Sequence, residues 1–332
     1  EGNVHKAYIV DSTNPSWKAG QVKFIVNDPE DNNTAKVTFF MGDHSARQID
    51  TMTLLGNNEV VLGNSFIVMS REEPRQESSP EITRYVRLLS TKAPLFEKVS
   101  ENTVLVRIPA FDHAFKKDID AVIAKHLDTI LKTENLIIDI RGNGGGSDVS
   151  YASLLPILYT NPIRTVGMEY LSTELNNSRM LGFLQNPHFS EEEKQWAKDG
   201  YDILNQHIGS YINIDEDVTV ETFDKIEPLP KSIGVLVDSS NGSTAEQFLL
   251  AAKQSKKVKL FGQTTAGVLD ISNMYQTDSP SGTFTLYYSL TKSLRIPHMA
   301  IDGVGIQPDY YIDGELPLYQ WTSYTQKILE GM

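Results

Sequence analysis

Two continuous apolar runs, each followed by small polar residues, constrain the fold more than any other feature. They are NLIIDIRG at 135–142 and SIGVLVD at 232–238. Runs of this kind are typical of strands that are buried on both faces, as in a parallel sheet covered by helices. Amphipathic helical patterns precede or follow them at Asp118–Leu131 and Thr244–Gln254, and KVKLFG at 257–262 reads as a further strand. The repeated order of strand, helix and strand predicts an α/β fold.

A different pattern occupies the start of the chain. Short alternating segments bounded by turn residues predict an antiparallel β module over residues 1–72. Five strands are few for a barrel that closes on itself, so the module is expected to be barrel-like and incomplete. The predicted strands are Lys6–Val10, Gln21–Val26, Lys36–Met41, Glu59–Leu62 and Ser65–Met69.

The boundary between the two patterns falls in a polar stretch. REEPRQESSP at 71–80 has the composition of an exposed connection, and a linker is predicted over 73–100. The α/β domain is then expected at 101–332, with a helical insertion at about 168–228 that contains the helix-start signal Ser190-Glu191-Glu192-Glu193.

Composition excludes several classes of function. The 332 residues suggest about two domains, and 43 acidic against 30 basic residues give a formal net charge of −13, which argues against a nucleic-acid partner. The absence of cysteine excludes disulfides, a thiolate nucleophile and cysteine-bound zinc. No apolar run is long enough to span a bilayer, and no histidine has the spacing of a metal ligand. We therefore expect no cofactor and no metal; the oligomeric state is left open.

The first apolar strand ends in a glycine-rich loop. Arg141-Gly142-Asn143-Gly144-Gly145-Gly146 can turn several backbone N–H groups toward one point, which suits an anion. A nucleotide phosphate is the weaker candidate because the Rossmann spacing and a Walker lysine are both missing. A transient oxyanion is the alternative, and it requires a nucleophile at a neighbouring strand end.

The second apolar strand supplies such a candidate in Ser243, at the start of a predicted helix. Its hydroxyl would lie at the positive end of the helix dipole, and the N–H of Thr244 would point toward a developing oxyanion. Serine is also the preferred N-cap residue, and Glu246 stands three residues further on as in a capping box. The local sequence alone favours the cap.

The ordered set of motifs resembles a known family. NLIIDIRGNGGG, then SSNGSTAEQFLLAAKQSKKVKLFGQTTAG, then GVGIQPD are similar to the core of the C-terminal-processing (tail-specific, tricorn-like) serine peptidases. The resemblance covers about residues 100–312 and implies a ClpP/crotonase-like catalytic domain. It further implies that Ser243 is the nucleophile and that the backbone of Thr244, Gly144 and Gly145 forms the oxyanion hole.

The resemblance also bears on the catalytic base. One branch of the family has a lysine after the glycines of GQTTAG, where this chain has Val268, so the tricorn-like branch with a histidine base is the better match. Asp302 falls where that branch has a carboxylate that assists the histidine, although an aspartate before a glycine is equally a turn former. His44, in Met41-Gly42-Asp43-His44-Ser45, is the candidate base; an exposed loop histidine is the alternative, as is a base from upstream of residue 1. His113 is a second candidate.

Two functions follow from these observations. The first is a serine endopeptidase that hydrolyses extended or unfolded polypeptides through an acyl-enzyme on Ser243. The second is a catalytically impaired protein of the same fold that binds peptide or glycan. Family habit indicates a bacterial envelope protein, periplasmic or extracellular.

Overall fold

The computed structural model describes residues 4–27, 34–63, 67–187 and 189–332, and the chain divides into two compact units. The first unit comprises Glu1–Lys92 together with Gly314–Tyr324. The second comprises Ala93–Asp313 together with Thr325–Met332. No helix within the described ranges combines the length and apolar character needed to cross a membrane.

The first unit is built on a six-stranded antiparallel half-barrel sheet in which each strand pairs with the next along the chain. Val37 and Leu62 are fully buried at its apolar face. The fourth strand was not predicted, because its sequence ARQIDTMTLL mixes polar and charged residues into the alternation. The predicted strand at Ser65–Met69 begins at residues outside the described ranges. The strands are β1 (Val4–Tyr8), β2 (Val22–Asn27), β3 (Thr34–Phe40), β4 (Ala46–Leu55), β5 (Glu59–Leu62) and β6 (Ile67–Ser70).

A helix, α1 (Pro80–Ser90), lies inside the predicted linker. Ser79 caps it by accepting the Ile82 N–H, and Pro80 occupies the first turn, where a missing N–H is tolerated. Its buried face, which includes Tyr85, packs with Tyr319 of the same unit. The interval 73–100 therefore contains ordered elements. The helix was not predicted because the interval begins with polar residues and its helical spacing of apolar residues starts only at Ile82.

The second unit contains twelve strands in its described residues, arranged in three sheets. They are β7 (Leu95–Lys98), β8 (Thr103–Arg107), β9 (Asn135–Asp139), β10 (Ile163–Val166), β11 (Met168–Leu171), β12 (Tyr211–Ile212), β13 (Val218–Glu221), β14 (Ser232–Val237), β15 (Val258–Gly262), β16 (Ile271–Asp278), β17 (Thr285–Ser293) and β18 (Tyr310–Tyr311). The α-helices beyond α1 are α2 (Lys116–Ile130), α3 (Leu155–Leu158), α4 (Glu174–Leu184), α5 (Glu191–Asn205), α6 (Thr244–Ala252) and α7 (Trp321–Glu330).

The largest sheet of the second unit has the order β18-β15-β14-β9-β8-β7. All neighbouring strands are parallel except β7, which runs antiparallel to β8. Every residue of β8 and β9 is buried, and α2 and α6 contribute apolar residues to the same core. The predicted α/β fold with a parallel sheet is confirmed.

The segment predicted as a helical insertion contains α4 and α5, which pack together around Met180, Ala197 and Leu204. It also contains strands that were not predicted. One of them, β11, joins the antiparallel sheet β12-β11-β17-β16, and β13 pairs with β10. The insertion is thus mixed, because its short strands have too few residues to show an alternating pattern.

Candidate active site

The site lies at the carboxyl ends of two adjacent parallel strands. β9 and β14 are paired along their length, with Leu236 opposite Asp139, so the loops that follow them leave the sheet at the same edge. Such an edge is where open α/β sheets commonly bind their ligands.

Two buried asparagines fix the conformation of these loops. Asn143, which is fully buried, donates to Ile108 O (3.2 Å) and accepts the Gly145 N–H (3.0 Å). Asn241, also fully buried, donates to Ile140 O (2.6 Å) and Asn143 O (3.0 Å). The second loop is therefore hydrogen-bonded directly to the first.

The glycine loop packs against Ser243 without space for a side chain between them. A Cβ atom placed on Gly145 would lie 2.7 Å from Gly242 O, 2.8 Å from Ser243 Cβ and 2.9 Å from Thr244 N. Gly145 also has a φ of +108°, which L side chains rarely adopt. The predicted convergence of the two loops is confirmed.

Ser243 has an unusual backbone conformation immediately before α6. Its φ is 53° and its ψ is −125°, and its side chain makes no capping hydrogen bond. A non-glycine residue in this region costs on the order of 1–3 kcal/mol and persists only where its surroundings enforce it. The hydroxyl lines a cleft instead of capping the helix.

The capping box that the local sequence favoured is therefore wrong for Ser243. Glu246 is fully buried and turns away to the loop after β15. It accepts the Thr265 hydroxyl (2.5 Å) and the N–H groups of Gly267 (2.8 Å) and Val268 (2.9 Å). Glu246 binds three donors from a loop that is distant in sequence, whereas a capping box would let it bind a single backbone amide. The local sequence around Glu246 does not indicate these donors.

The backbone amides around Ser243 differ in availability. The Gly145 N–H already donates to Asn143 Oδ1, so one of the two glycine amides predicted for an oxyanion hole is engaged within its own loop. The N–H groups of Gly144 and Thr244 make no hydrogen bond with the described part of the chain. Both amides are therefore available to bind an anion.

The cleft beside Ser243 has a volume of about 910 Å³. Its apolar wall includes Val166, Met168, Leu269 and Met274, and charged side chains also line it. The charged residues are Asp148, Arg179, Arg295 and Asp302. A cleft of this size with a few convergent polar groups is the usual form of a small-ligand or peptide site.

Asp302 lies in the same cleft and binds the backbone that follows Val268. Its Oδ1 accepts the N–H groups of Leu269 and Asp270, each at 2.6 Å, and its Oδ2 accepts that of Ile271 at 2.9 Å. An ionised carboxylate has about four acceptor positions, so one position on Oδ2 stays open. Asp302 thus shapes its loop, and a role toward a histidine remains a prediction.

A second carboxylate within this segment, Asp270, binds back to the chain around Asp302. Asp270 is fully buried, forms an ion pair with Arg295 Nε (2.7 Å) and accepts the N–H groups of Ile301 and Asp302. Sequence reasoning missed Asp270 and Arg295, because their partners are 25 or more residues away in the chain.

Asp148 is another residue that the sequence analysis missed. It follows the glycine loop, and its partial removal from water in the cleft raises its pKa; a hydrogen bond from the Thr244 side chain and the charge of Arg295 act in the opposite direction. Its contact with Thr244 joins the glycine-loop segment to the first residue of α6.

Neither of the two predicted bases is among the described residues that line the cleft. His44 belongs to the first unit, in an exposed turn at a φ of 64°, with its ring 4.7 Å from that of Trp17. His113 is exposed at the start of a short 3-10 turn after Asp112. No histidine or lysine is among the described residues that line the cleft, and Val268, at the position of the other branch's lysine, is 54% exposed.

Among residues 4–27, 34–63, 67–187 and 189–332, no three histidine, aspartate or glutamate side chains are grouped so that they could hold a metal ion.

Comparison with known proteins identifies the family. The model of peptidase family S41 matches residues 102–312, well over half of the chain, and the chain belongs to this family. The match confirms the resemblance to the C-terminal-processing serine peptidases. The chain is also similar to an uncharacterised protein of Chlamydia muridarum, at 25% identity over 268 residues. That alignment covers 69% of this chain and 44% of the relative, so the chain spans less than half of the relative's length.

Solved structures show the same fold. The crystal structure of mature CPAF matches with a TM-score of 0.51 at 14% identity, covering 98% of this chain and 79% of CPAF. A CPAF mutant matches with a TM-score of 0.50 at 15% identity, covering 92% of this chain and 68% of that one. At these identities the similarity concerns the fold alone.

Proposed function

We propose that the protein is a serine peptidase that cleaves peptide bonds through an acyl-enzyme on Ser243, with a catalytic unit of the ClpP/crotonase-like kind. The observation that carries the proposal is the geometry of Ser243: a strained, uncapped serine that faces a cleft beside the unpaired amides of Gly144 and Thr244. Membership of family S41 supports the same chemistry.

In the proposed mechanism, Ser243 Oγ attacks the carbonyl carbon of the scissile bond and its proton passes to a base. The carbonyl oxygen becomes an oxyanion, to which the N–H groups of Gly144 and Thr244 donate. The base returns the proton to the leaving amine, and water then hydrolyses the ester. The open acceptor position on Asp302 Oδ2 suits the N–H of an imidazole.

The identity of the base is part of the proposal. Within this chain His44 is the candidate, and the alternative is a histidine upstream of Glu1. The substrate is an extended or unfolded polypeptide, since only an extended chain exposes its backbone for pairing with a sheet edge. We further propose that the protein acts in the bacterial envelope, periplasmic or extracellular.

One observation favours a second function. Because the described lining of the cleft lacks a histidine or lysine, the chain could instead bind peptide or glycan without cleaving it. A serine without a base is a weak nucleophile. The two functions differ in whether Ser243 reacts.

The test is labelling with a serine-directed phosphonate, followed by intact mass measurement. We expect one adduct, which is lost in Ser243→Ala, together with a fall in peptide hydrolysis on the order of 10⁴-fold or more. Ser190→Ala is the matched control, because Ser190 also precedes a helix with a glutamate three residues on but acts as a true cap. His44→Ala should slow labelling if His44 is the base. A folded protein that takes no label would favour the binding function.

A further inference from the structure

One arginine in the cleft is held in place without a counter-ion among the residues that the structure describes. Arg179 lies on α4 and lines the same cleft as Ser243. Its guanidinium lies 5.0 Å from the ring of Phe183, one helical turn further on, and makes a long hydrogen bond of 3.5 Å to Asn273 O of β16. The side chain is therefore fixed between a helix and a strand that both border the cleft.

The buried arginines of the second unit, Arg107, Arg141 and Arg295, differ from the partly buried Arg179 in that each is paired with a carboxylate. Arg295 is paired with Asp270 at 2.7 Å, and Arg141 with Asp139 at 2.8 Å. Within the described parts of the chain, Arg179 has no carboxylate within 4.0 Å.

The surroundings of Arg179 solvate its charge poorly. Burial lowers its pKa, and the titratable groups that face it are the phenols of Tyr170 and Tyr275. Guanidinium nevertheless stays ionised in proteins, so the cleft contains a positive charge with unused N–H donors. In a chain with 43 acidic and 30 basic residues, an unpaired, partly buried arginine is a specific feature of this site.

We propose that Arg179 binds a carboxylate of the peptide that occupies the cleft, and so gives the protein a preference for acidic peptides. The inference rests on the proposed function, in that it takes a peptide as the ligand. A carboxylate matches the planar fork of guanidinium with two parallel hydrogen bonds, and the partial burial of Arg179 beside the ring of Phe183 strengthens the pair. The carboxylate belongs to an aspartate or glutamate side chain or to the free carboxyl terminus of the peptide.

The experiment measures peptide binding to the Ser243→Ala variant, in which no turnover occurs. The probes are fluorescein-labelled decapeptides that differ by one Glu or Gln at successive positions, each with a free or an amidated carboxyl terminus. We expect an acidic peptide to bind about tenfold more tightly than its neutral counterpart, the range expected for a partly desolvated charge pair. The arm that shows the difference, side chain or terminus, identifies the source of the carboxylate.

Further substitutions isolate the arginine. Arg179→Gln should abolish the preference and leave the affinity for the neutral peptide nearly unchanged, while Arg179→Lys should keep part of it because the charge remains. Lys198→Gln, which removes an exposed positive charge from neighbouring α5, should keep the full preference. Circular dichroism of each variant controls for folding.

Three results would overturn the inference: equal affinity for acidic and neutral peptides, a preference that survives Arg179→Gln, or no binding of any peptide. Phosphonate labelling of Ser243 separates this failure from that of the proposed function. Labelling without an acidic preference removes only the role of Arg179. A preference for acidic peptides without labelling of Ser243 would refute the proposed hydrolysis but support the carboxylate site at Arg179.

Discussion

Ser243 shows how a single residue's conformation can be set by its neighbours. On one side Gly145 leaves no space, and on the other a Cβ on Gly242 would lie 2.7 Å from Val268 Cγ2. The serine is therefore enclosed by backbone at Gly145, where only glycine fits, and by residues that pack against the Val268 side chain at Gly242. The sequence indicated a role for the glycines, but a positive φ at Ser243 could not be predicted, because it results from these contacts.

Gly145→Ala tests this dependence at the residue scale. The added methyl group would overlap Gly242 O and Ser243 Cβ, and the φ of +108° adds strain, so we expect the free energy of unfolding to fall by about 2–4 kcal/mol and labelling of Ser243 to be lost. Urea unfolding and phosphonate labelling measure the two effects.

Gly144→Ala is the control for stability in that experiment. A Cβ on Gly144 would have its nearest neighbour, Ser240 O, at 4.0 Å, and we expect a change below about 1 kcal/mol. Equal destabilisation by both substitutions would contradict the close packing of Gly145 on Ser243.

At the scale of elements, two helices begin with the same Ser-x-x-Glu pattern and use it differently. In α5, Ser190 and Glu193 form a reciprocal capping box that is exposed to solvent. In α6 the serine is uncapped, and Glu246 binds the loop after β15. The pattern predicts where a helix starts, and only tertiary contacts decide what its glutamate does.

Glu246→Gln and Glu193→Gln should therefore differ in stability. At position 246 the new side-chain amide would place two hydrogens among three buried donors, and we expect a loss of about 2–4 kcal/mol. A glutamine can still serve in a capping box, so Glu193→Gln should cost less than about 0.5 kcal/mol. Thermal unfolding compares the two, and a similar loss in both would refute the loop-binding role of Glu246.

The sequence predicted some elements well for a physical reason. β9, β14, β15 and α6 have strong apolar patterns because nearly all of their residues are buried, and their loops carry the glycines and Ser243. Of the charged side chains described in the cleft, only Asp302 was predicted. Asp148, Arg179 and Arg295 gain their importance from distant partners, which a linear pattern does not contain.

At the scale of the whole molecule, a buried cluster of charged residues lies at the end of β9, before the glycine loop. Asp139, at the end of β9, accepts two hydrogen bonds from the Arg141 guanidinium, at 2.8 and 3.0 Å, and one from the Arg141 backbone N–H, at 3.1 Å. Its Oδ1 also lies 3.4 Å from Arg107 Nη1. Burial alone would raise the pKa of Asp139, but the charges and hydrogen bonds of the two arginines hold it below its ordinary value of 3.8.

This pKa shift predicts how stability depends on pH. A carboxyl group whose pKa is lower in the folded state stabilises the protein fully above its ordinary pKa and loses that contribution as the pH falls through the folded value. Asp139→Asn should lower the free energy of unfolding by about 3–5 kcal/mol at pH 7. The difference in free energy of unfolding between this variant and the unsubstituted protein should become smaller below pH 3.8. Urea unfolding across this range measures it.

Asp128→Asn is the control, because Asp128 forms an exposed pair with Lys132. That substitution should change the free energy of unfolding by less than about 1 kcal/mol at any pH. If the difference in free energy of unfolding between Asp139→Asn and the unsubstituted protein stayed constant down to acid pH, Asp139 would not titrate as described.

The first compact unit is assembled from two stretches of chain, Glu1–Lys92 and Gly314–Tyr324. Tyr319, from the second stretch, packs against the face of α1 that includes Ile82 and Tyr85. During translation, Tyr319 can pack against this face only after more than two hundred further residues have been synthesised. Leu55 and Val61 of the sheet can pack against this face early, but the part that Tyr319 covers stays exposed to chaperones and proteases while the second unit is still being made.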